Sequence, residues 1–198
     1  MAARLWLIAG ANGVGKTTWA FAHAAAVTGS TAFVNVDEIA RGLSPLDVEA
    51  GRVAASRVAI ARIAAFMQAR RSFSLETTLA GRTHLRTIDA AHAAGMEVAI
   101  LYFAVAQVET SLERIARRVR QGGHDVPEAE ARRRFVRSLA NLRSYAARAD
   151  HWSVFDANGQ PTIVAEGRRD CVAHCGETGG LPRPLAAALA AMPSCPEA

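Results

Sequence analysis

The stretch Leu5-Trp6-Leu7-Ile8-Ala9-Gly10-Ala11-Asn12-Gly13-Val14-Gly15-Lys16-Thr17-Thr18 decides the fold. Its first five residues are a continuous apolar run, the pattern of a strand buried on both faces of a parallel sheet. The run stops at Gly10, and Gly10 to Thr17 fits the spacing G-x-x-x-x-G-K-[ST] between a predicted strand and a predicted helix. Glycines at 10, 13 and 15 let successive backbone N–H groups converge on a phosphate, to which the following helix adds the field of its positive end. Gly10, Ala11, Asn12, Gly13, Val14, Gly15, Lys16, Thr17 and Thr18 are therefore expected to bind a nucleoside triphosphate. Lys16 would neutralise the β and γ phosphates, and the Thr17 hydroxyl would ligate Mg²⁺. A purely structural glycine turn is the competing reading, and the flanking elements argue against it.

Working outward, further strands are expected at Thr31–Val36, Ser72–Leu75, Glu97–Phe103 and Trp152–Asp156, with a sixth from Pro161 to Val164 beyond the Asn158-Gly159 turn. Apolar stripes at helical spacing separate them: Val53, Ile60, Ile63 and Met67, then Val108, Leu112, Ile115 and Val119. Strands alternating with helices imply right-handed crossovers and a three-layer α/β fold with a mainly parallel sheet of about five strands. Residues 1–170 are read as one such domain.

The 198 residues are 51% hydrophobic and 21% charged, which excludes a wholly disordered or fibrous chain. No apolar run reaches the length of a membrane span. The net charge of +5 suits an anionic partner, and the basic residues are overwhelmingly arginine, which grips phosphate at two points. Cys171, Cys175 and Cys195 are odd in number and clustered near the end, so no disulfide framework is expected and a reducing, cytoplasmic location fits. A zinc site at Cys171, His174, Cys175 and Cys195 lacks the paired C-x-x-C form. From residue 171 to 198 Gly, Pro and Ala increase, and a loosely ordered tail with one short helix, Leu185 to Ala191, is expected.

Asp37 and Glu38 follow the second strand at its carboxyl end, where open α/β sheets bind ligands. Asp37 has two readings: a base that takes the proton of an acceptor hydroxyl, or the N-cap of a short helix over residues 38–41. Glu76, Thr77, Thr78 and Arg82 end the third strand and form a candidate acceptor-binding loop. The basic stretch from Arg114 to Arg137 is broken by Gln121-Gly122-Gly123-His124-Asp125-Val126-Pro127. It reads as a helical lid over residues 114–134, with Gly122-Gly123 as hinge, His124 at the tip and Pro127 opening the second helix. Arg117 is the candidate that offsets charge on the transferring phosphoryl group, and Arg133 a candidate substrate contact. A solvated face is the ordinary reading for Arg114, Arg118, Arg120, Arg132, Arg134 and Arg137.

The segments AGANGVGKTT (residues 9–18), FVNVDEIA (33–40), FSLETTLAG (73–81), RIARRVRQGGHDVPEAEARRRF (114–135) and SLANLRSYAARADHWSVFDANG (138–159) together resemble the zeta-toxin-like P-loop kinases. That resemblance implies phosphorylation of the sugar of a UDP-sugar, such as UDP-N-acetylglucosamine, from ATP or GTP with Mg²⁺. It also implies Asp37 as general base, Glu76 with Thr77 and Thr78 as the sugar-binding strand end, Arg117 as a catalytic arginine, and an antitoxin protein as partner. Two other readings remain open. A polynucleotide or RNA-end kinase would suit the positive charge, although no aromatic row interleaves the arginines as a stacking platform would require. The other is a nucleotide-switched binding module with no acceptor.

Overall fold

The computed structural model describes residues 2–123 and 125–196. It begins with β1 (Arg4–Ala9), and the loop that follows leads into one continuous helical run. That run comprises α1 (Lys16–Trp19), a π-helical turn (Ala20–Ala24) and α2 (Ala25–Thr28). Next come β2 (Phe33–Val34), α3 (Val36–Leu43), α4 (Val48–Gln68), β3 (Phe73–Thr77), α5 (Thr83–Ala93) and β4 (Glu97–Ala104). The chain continues through α6 (Val108–Arg120), α7 (Glu128–Ala146), β5 (His151–Asp156), β6 (Thr162–Arg168), β7 (Cys171–Cys175) and α8 (Arg183–Ala190).

One sheet holds all seven strands in the order β2-β3-β1-β4-β5-β6-β7. The first five in that order pair in parallel, as the alternation of strands and helices predicts, and β6 and β7 add antiparallel hairpins at one edge. The β5–β6 hairpin turns through the expected Asn158-Gly159.

Side chains alternate across the sheet, as the period of a strand requires. On β4, Val98, Ile100, Tyr102 and Ala104 join a core shared with α5, α7 and α8, whereas Leu101 and Phe103 face a second core formed with Val14, Trp19 and Ala20. Helices therefore cover both faces, giving the three-layer architecture.

Four expectations are corrected. Val36 belongs to a helix rather than a strand, because Asn35 caps α3: its Oδ1 accepts the N–H groups of Asp37 at 2.8 Å and Glu38 at 3.2 Å. On α4 the small residues Gly51, Ala55 and Ala59 face inward, leaving Val53 and Ile60 at 67% and 68% exposure. Close packing explains the inversion, since a Cβ on Gly51 would lie 2.9 Å from the Ala40 carbonyl oxygen.

The stretch after residue 170 is ordered where a loose tail was expected. It contributes β7 and α8, and Leu181, Leu185 and Leu189 are buried in the main core. Finally, Cys171 and Cys195 form a disulfide, with Cα atoms 4.8 Å apart. The tail returns alongside β7, where Val172 N–H donates to the Pro193 carbonyl at 2.9 Å and Cys195 N–H to that of Val172 at 2.8 Å. That return brings together two cysteines separated by 24 positions, leaves Cys175 free and exposed, and removes the cysteine argument for a reducing compartment. Among the described residues no helix is long and apolar enough to cross a membrane.

Candidate active site

Parallel register sets the site. β1 and β3 pair so that Ile8 lies beside Glu76 and Ala9 beside Thr77, which places the Glu76 carboxylate next to the loop that leaves β1. That loop approaches its neighbours too closely for side chains: a Cβ would meet the Phe103 carbonyl oxygen at 2.3 Å from Gly10 and the Ser111 carbonyl oxygen at 2.4 Å from Gly13. Both glycines also have positive φ, at 137° and 80°. Gly15, with φ 100°, is the N-cap residue of α1 and provides no side-chain cap; a Cβ there would meet nothing within 4 Å. The first turn of the helix therefore offers its N–H groups to open space, the arrangement that binds a phosphate.

Lys16 is the only lysine in the chain. It is buried, with Nζ donating to the Ala11 carbonyl at 2.8 Å and lying 3.9 Å from Glu76 Oε1. Burial pushes its ammonium pKa down; the charges of Glu76 and Asp37 oppose this, and those of Arg118 and Arg134 add to it. Glu76 is pushed up by the same burial, against Lys16 and the hydrogen bonds of Thr17 and Asn35. Thr17 Oγ1 donates to both Glu76 carboxylate oxygens at 2.9 Å, and Asn35 Nδ2 donates to Oε2 at 2.8 Å. Asn35 thus caps α3 with its oxygen and anchors Glu76 with its nitrogen.

Because Asn35 is the cap, Asp37 is relieved of that role. It lies in the first turn of α3, its side chain 46% exposed at the cleft, 3.6 Å from Arg52 Nη2.

These groups line a cleft of about 1430 Å³. Asn12, Gly13, Val14, Gly15, Lys16, Thr17, Thr18, Asp37, Glu76, Thr77 and Thr78 all border it, with Gly10 and Ala11 behind. Thr77 and Thr78 hydroxyls accept the N–H groups of Leu79 and Ala80 at 3.2 and 3.4 Å. Leu79 is buried with φ 53°, an unusual conformation for a bulky residue. α7 supports the loop around it: Asn141 Nδ2 donates to the Leu79 carbonyl and Tyr145 Oη to that of Gly81, both at 2.8 Å. Arg82 is not brought to the cleft; it is the N-cap residue of α5 and exposed.

From α6 and α7 come Arg114, Arg117, Arg118, Arg133, Arg134 and Arg137. Arg117 and Arg133 are where the sequence suggests, but Arg118 and Arg134 are the two whose charges reach Lys16. Arg134 Nε donates to Glu130 Oε1 at 2.6 Å and its Nη1 to Asn12 Oδ1 at 3.4 Å; Arg133 pairs with the same glutamate. Arg114 donates to the Asn158 carbonyl at 2.7 Å. Arg132 follows the solvated reading, bound to Glu109 and Glu128 on the outer side.

His124 lies outside the described residues. Gly122 and Gly123 stop α6: Gly123 N–H donates to the Arg118 carbonyl and Gly122 N–H to that of Val119, both at 2.9 Å, with Gly122 at φ 79°. Asn35, Arg52, Arg118 and Arg134 were missed by sequence reasoning. Only the cap preference of Asn35 had a local signal.

A family profile described as an AAA domain matches residues 5–142. The chain belongs to that AAA domain family. It is 30% identical over 119 residues to an uncharacterized protein of Haemophilus influenzae, a match covering 60% of this chain and 83% of the relative. Among solved structures, the fold is similar to AvrRxo1-ORF1:-ORF2 crystallised with ATP. That match has a TM-score of 0.66 at 18% identity, covering 98% of this chain and 64% of the other, so this chain spans less than two thirds of that protein. It is also similar to the PezAT chromosomal toxin–antitoxin system of Streptococcus pneumoniae, with a TM-score of 0.61 at 15% identity, covering 84% of this chain and 71% of that one. The similar structures establish a shared fold.

Proposed function

We propose that the protein is an ATP-dependent kinase that transfers the γ-phosphoryl group to the hydroxyl of a small anionic acceptor, with a UDP-sugar as first candidate. The observation that carries this reading is the convergence on one cleft of an uncapped phosphate-binding helix start, the half-exposed Asp37 carboxylate with Arg52 beside it, and six arginines from α6 and α7.

The acceptor hydroxyl approaches Asp37, which takes its proton as the oxygen forms a bond to the γ phosphorus and the bond to the departing ADP oxygen breaks. Lys16 leaves the Ala11 carbonyl for the β and γ phosphates. Arg118 and Arg134 lie close enough to Lys16 to act on the same charge, and Arg117 and Arg133 line the same cleft. Thr17 Oγ1 and the Glu76 carboxylate present hard oxygen donors side by side, a set that fits Mg²⁺. Held there by Thr17 and Glu76, the ion would supply positive charge that offsets the charge of the phosphates. Glu76 on this reading serves the metal, and sugar recognition falls to Thr77 and Thr78. A protein partner of the antitoxin kind fits the same reading, since the PezAT system is a toxin with its antitoxin.

The test is to incubate the protein with ATP, Mg²⁺ and a panel comprising UDP-sugars, other nucleotides and 5′-hydroxyl RNA, and to seek a gain of one phosphate by mass spectrometry. Asp37→Asn should lower acceptor phosphorylation by about 10²- to 10⁴-fold and leave nucleotide affinity nearly unchanged. Equal turnover in that variant removes Asp37 as base, and ATP binding without any phosphorylated acceptor favours the nucleotide-switched module.

A further inference from the structure

A second cavity, of about 630 Å³, lies away from the nucleotide cleft between α7, the ends of β4 and β5, and α8. Its wall is almost wholly apolar, built from Phe135, Leu139, Leu142, Trp152, Val154 and Leu185 among others. The volume falls in the range of small-molecule sites, about 300–1,000 Å³. Three of its polar wall groups have partners: Tyr102 Oη lies 3.0 Å from Ser138 Oγ, Ser153 Oγ donates to Glu166 at 3.0 Å, and Glu109 is held by Arg132 at 2.9 Å, while Gln107, the N-cap residue of α6, adds one side-chain amide to the wall. Water inside would find few sites to bond, while an apolar body would lose nothing by entering.

Charge at the rim selects the ligand further. Arg143 on α7 and Arg183 on α8 line the cavity and are exposed, and among the described residues neither has an ion-pair partner. Val136, also in the wall, is 66% exposed. An apolar interior with a rim carrying two unneutralised guanidinium groups matches a molecule with a hydrocarbon body and an anionic head.

We propose that this cavity is a binding site for an amphipathic anion of the alkanoate class, with the chain inside and the carboxylate between Arg143 and Arg183. The site is separate from the proposed kinase chemistry. α7 presents Arg133, Arg134 and Arg137 to the nucleotide cleft and Val136, Leu139 and Arg143 to this one, so the two are walled by different faces of one helix.

The test is calorimetric titration of the full chain with octanoate, nonanoate and decanoate. Binding should be saturable at one site and tighten about fourfold per added methylene, the value of burying a CH₂. A diazirine-bearing decanoate should label peptides of α7 or α8 in the unaltered protein, and saturating ATP should not displace it. Ala188→Trp, which fills the cavity from α8, should weaken decanoate at least tenfold, with Ala140→Trp on α7 as the second such variant. Decyltrimethylammonium, with the opposite head charge, should bind at least tenfold more weakly than decanoate. The proposal is overturned by non-saturating uptake, by labelling confined to the nucleotide cleft, by displacement with ATP, or by a cation that binds as tightly as the anion.

Discussion

Thr17 and Glu76, 59 positions apart in the chain, meet where the Thr17 hydroxyl lies 2.9 Å from both oxygens of the Glu76 carboxylate. The parallel pairing of β1 with β3 creates this contact, and Asn35 fixes the carboxylate from a third element. A buried carboxylate beside a buried lysine and a threonine hydroxyl is a poor arrangement for an empty site and a good one for a site that receives a cation and phosphates.

Glu76→Gln should therefore separate metal from nucleotide. The glutamine retains hydrogen bonds to Thr17 and Asn35 but loses the charge, so nucleotide affinity without Mg²⁺ should stay within a few-fold of the parent. The strengthening of binding produced by Mg²⁺ should fall by about 10- to 100-fold. Titration of a fluorescent ATP analogue with and without Mg²⁺ gives both values. An intact Mg²⁺ effect in the variant would return Glu76 to acceptor binding.

The arginines provide a second test because neighbours differ in position. Arg118 and Arg134 act electrostatically on Lys16, Arg132 is bound by Glu109 and Glu128, and Arg120 lies outside the cleft lining. Arg134→Ala and Arg118→Ala should each lower kcat by about 10²- to 10³-fold, while Arg120→Ala and Arg132→Ala stay within about twofold. Steady-state kinetics on the phosphorylated acceptor would show the contrast. Equal losses across all four would mean that bulk positive charge, rather than placement, is what matters.

Much of this site was legible in the sequence because its signals are local. The glycine spacing, the strand before it and the helix after it all lie within Leu5 to Thr18. Asp37 was legible as a residue but not as one relieved of capping: Asp is itself a good cap, and only the structure shows Asn35 taking that position. Arg118 and Arg134 read as members of a solvated run because the choice of face depends on how α6 and α7 lie across the cleft. The disulfide was illegible for a related reason. Its pairing depends on the tail turning back beside β7, which no spacing of three cysteines encodes.

His84 gives the fold a pH dependence of known sign. Burial pushes its pKa below the usual histidine value, and its Nδ1 lies 3.3 Å from Thr87 Oγ1 near the start of α5. Between the folded pKa and about 6.5 the unfolded chain binds a proton that the folded one does not, so the stability contributed by the neutral ring is lost as pH falls through that window. His84→Gln should flatten the dependence of Tm on pH on the acid side of about 7. Thermal melts of both proteins across that range test this; parallel curves would assign the acid sensitivity to other groups.

The Cys171–Cys195 disulfide closes a loop that contains α8, and for 24 positions the chain-entropy account gives about 3.5 kcal/mol in favour of the closed form. Leu181, Leu185 and Leu189 are the side chains that dock this segment on the main core. Cys171→Ser should therefore loosen the segment after residue 175 while the nucleotide cleft, built from other elements, keeps its affinity. Limited proteolysis should cut the variant, or the reduced protein, between residues 176 and 196 at a rate at least tenfold above the oxidised parent. A cleavage pattern that does not change on reduction would mean that the three leucines alone hold the segment in place.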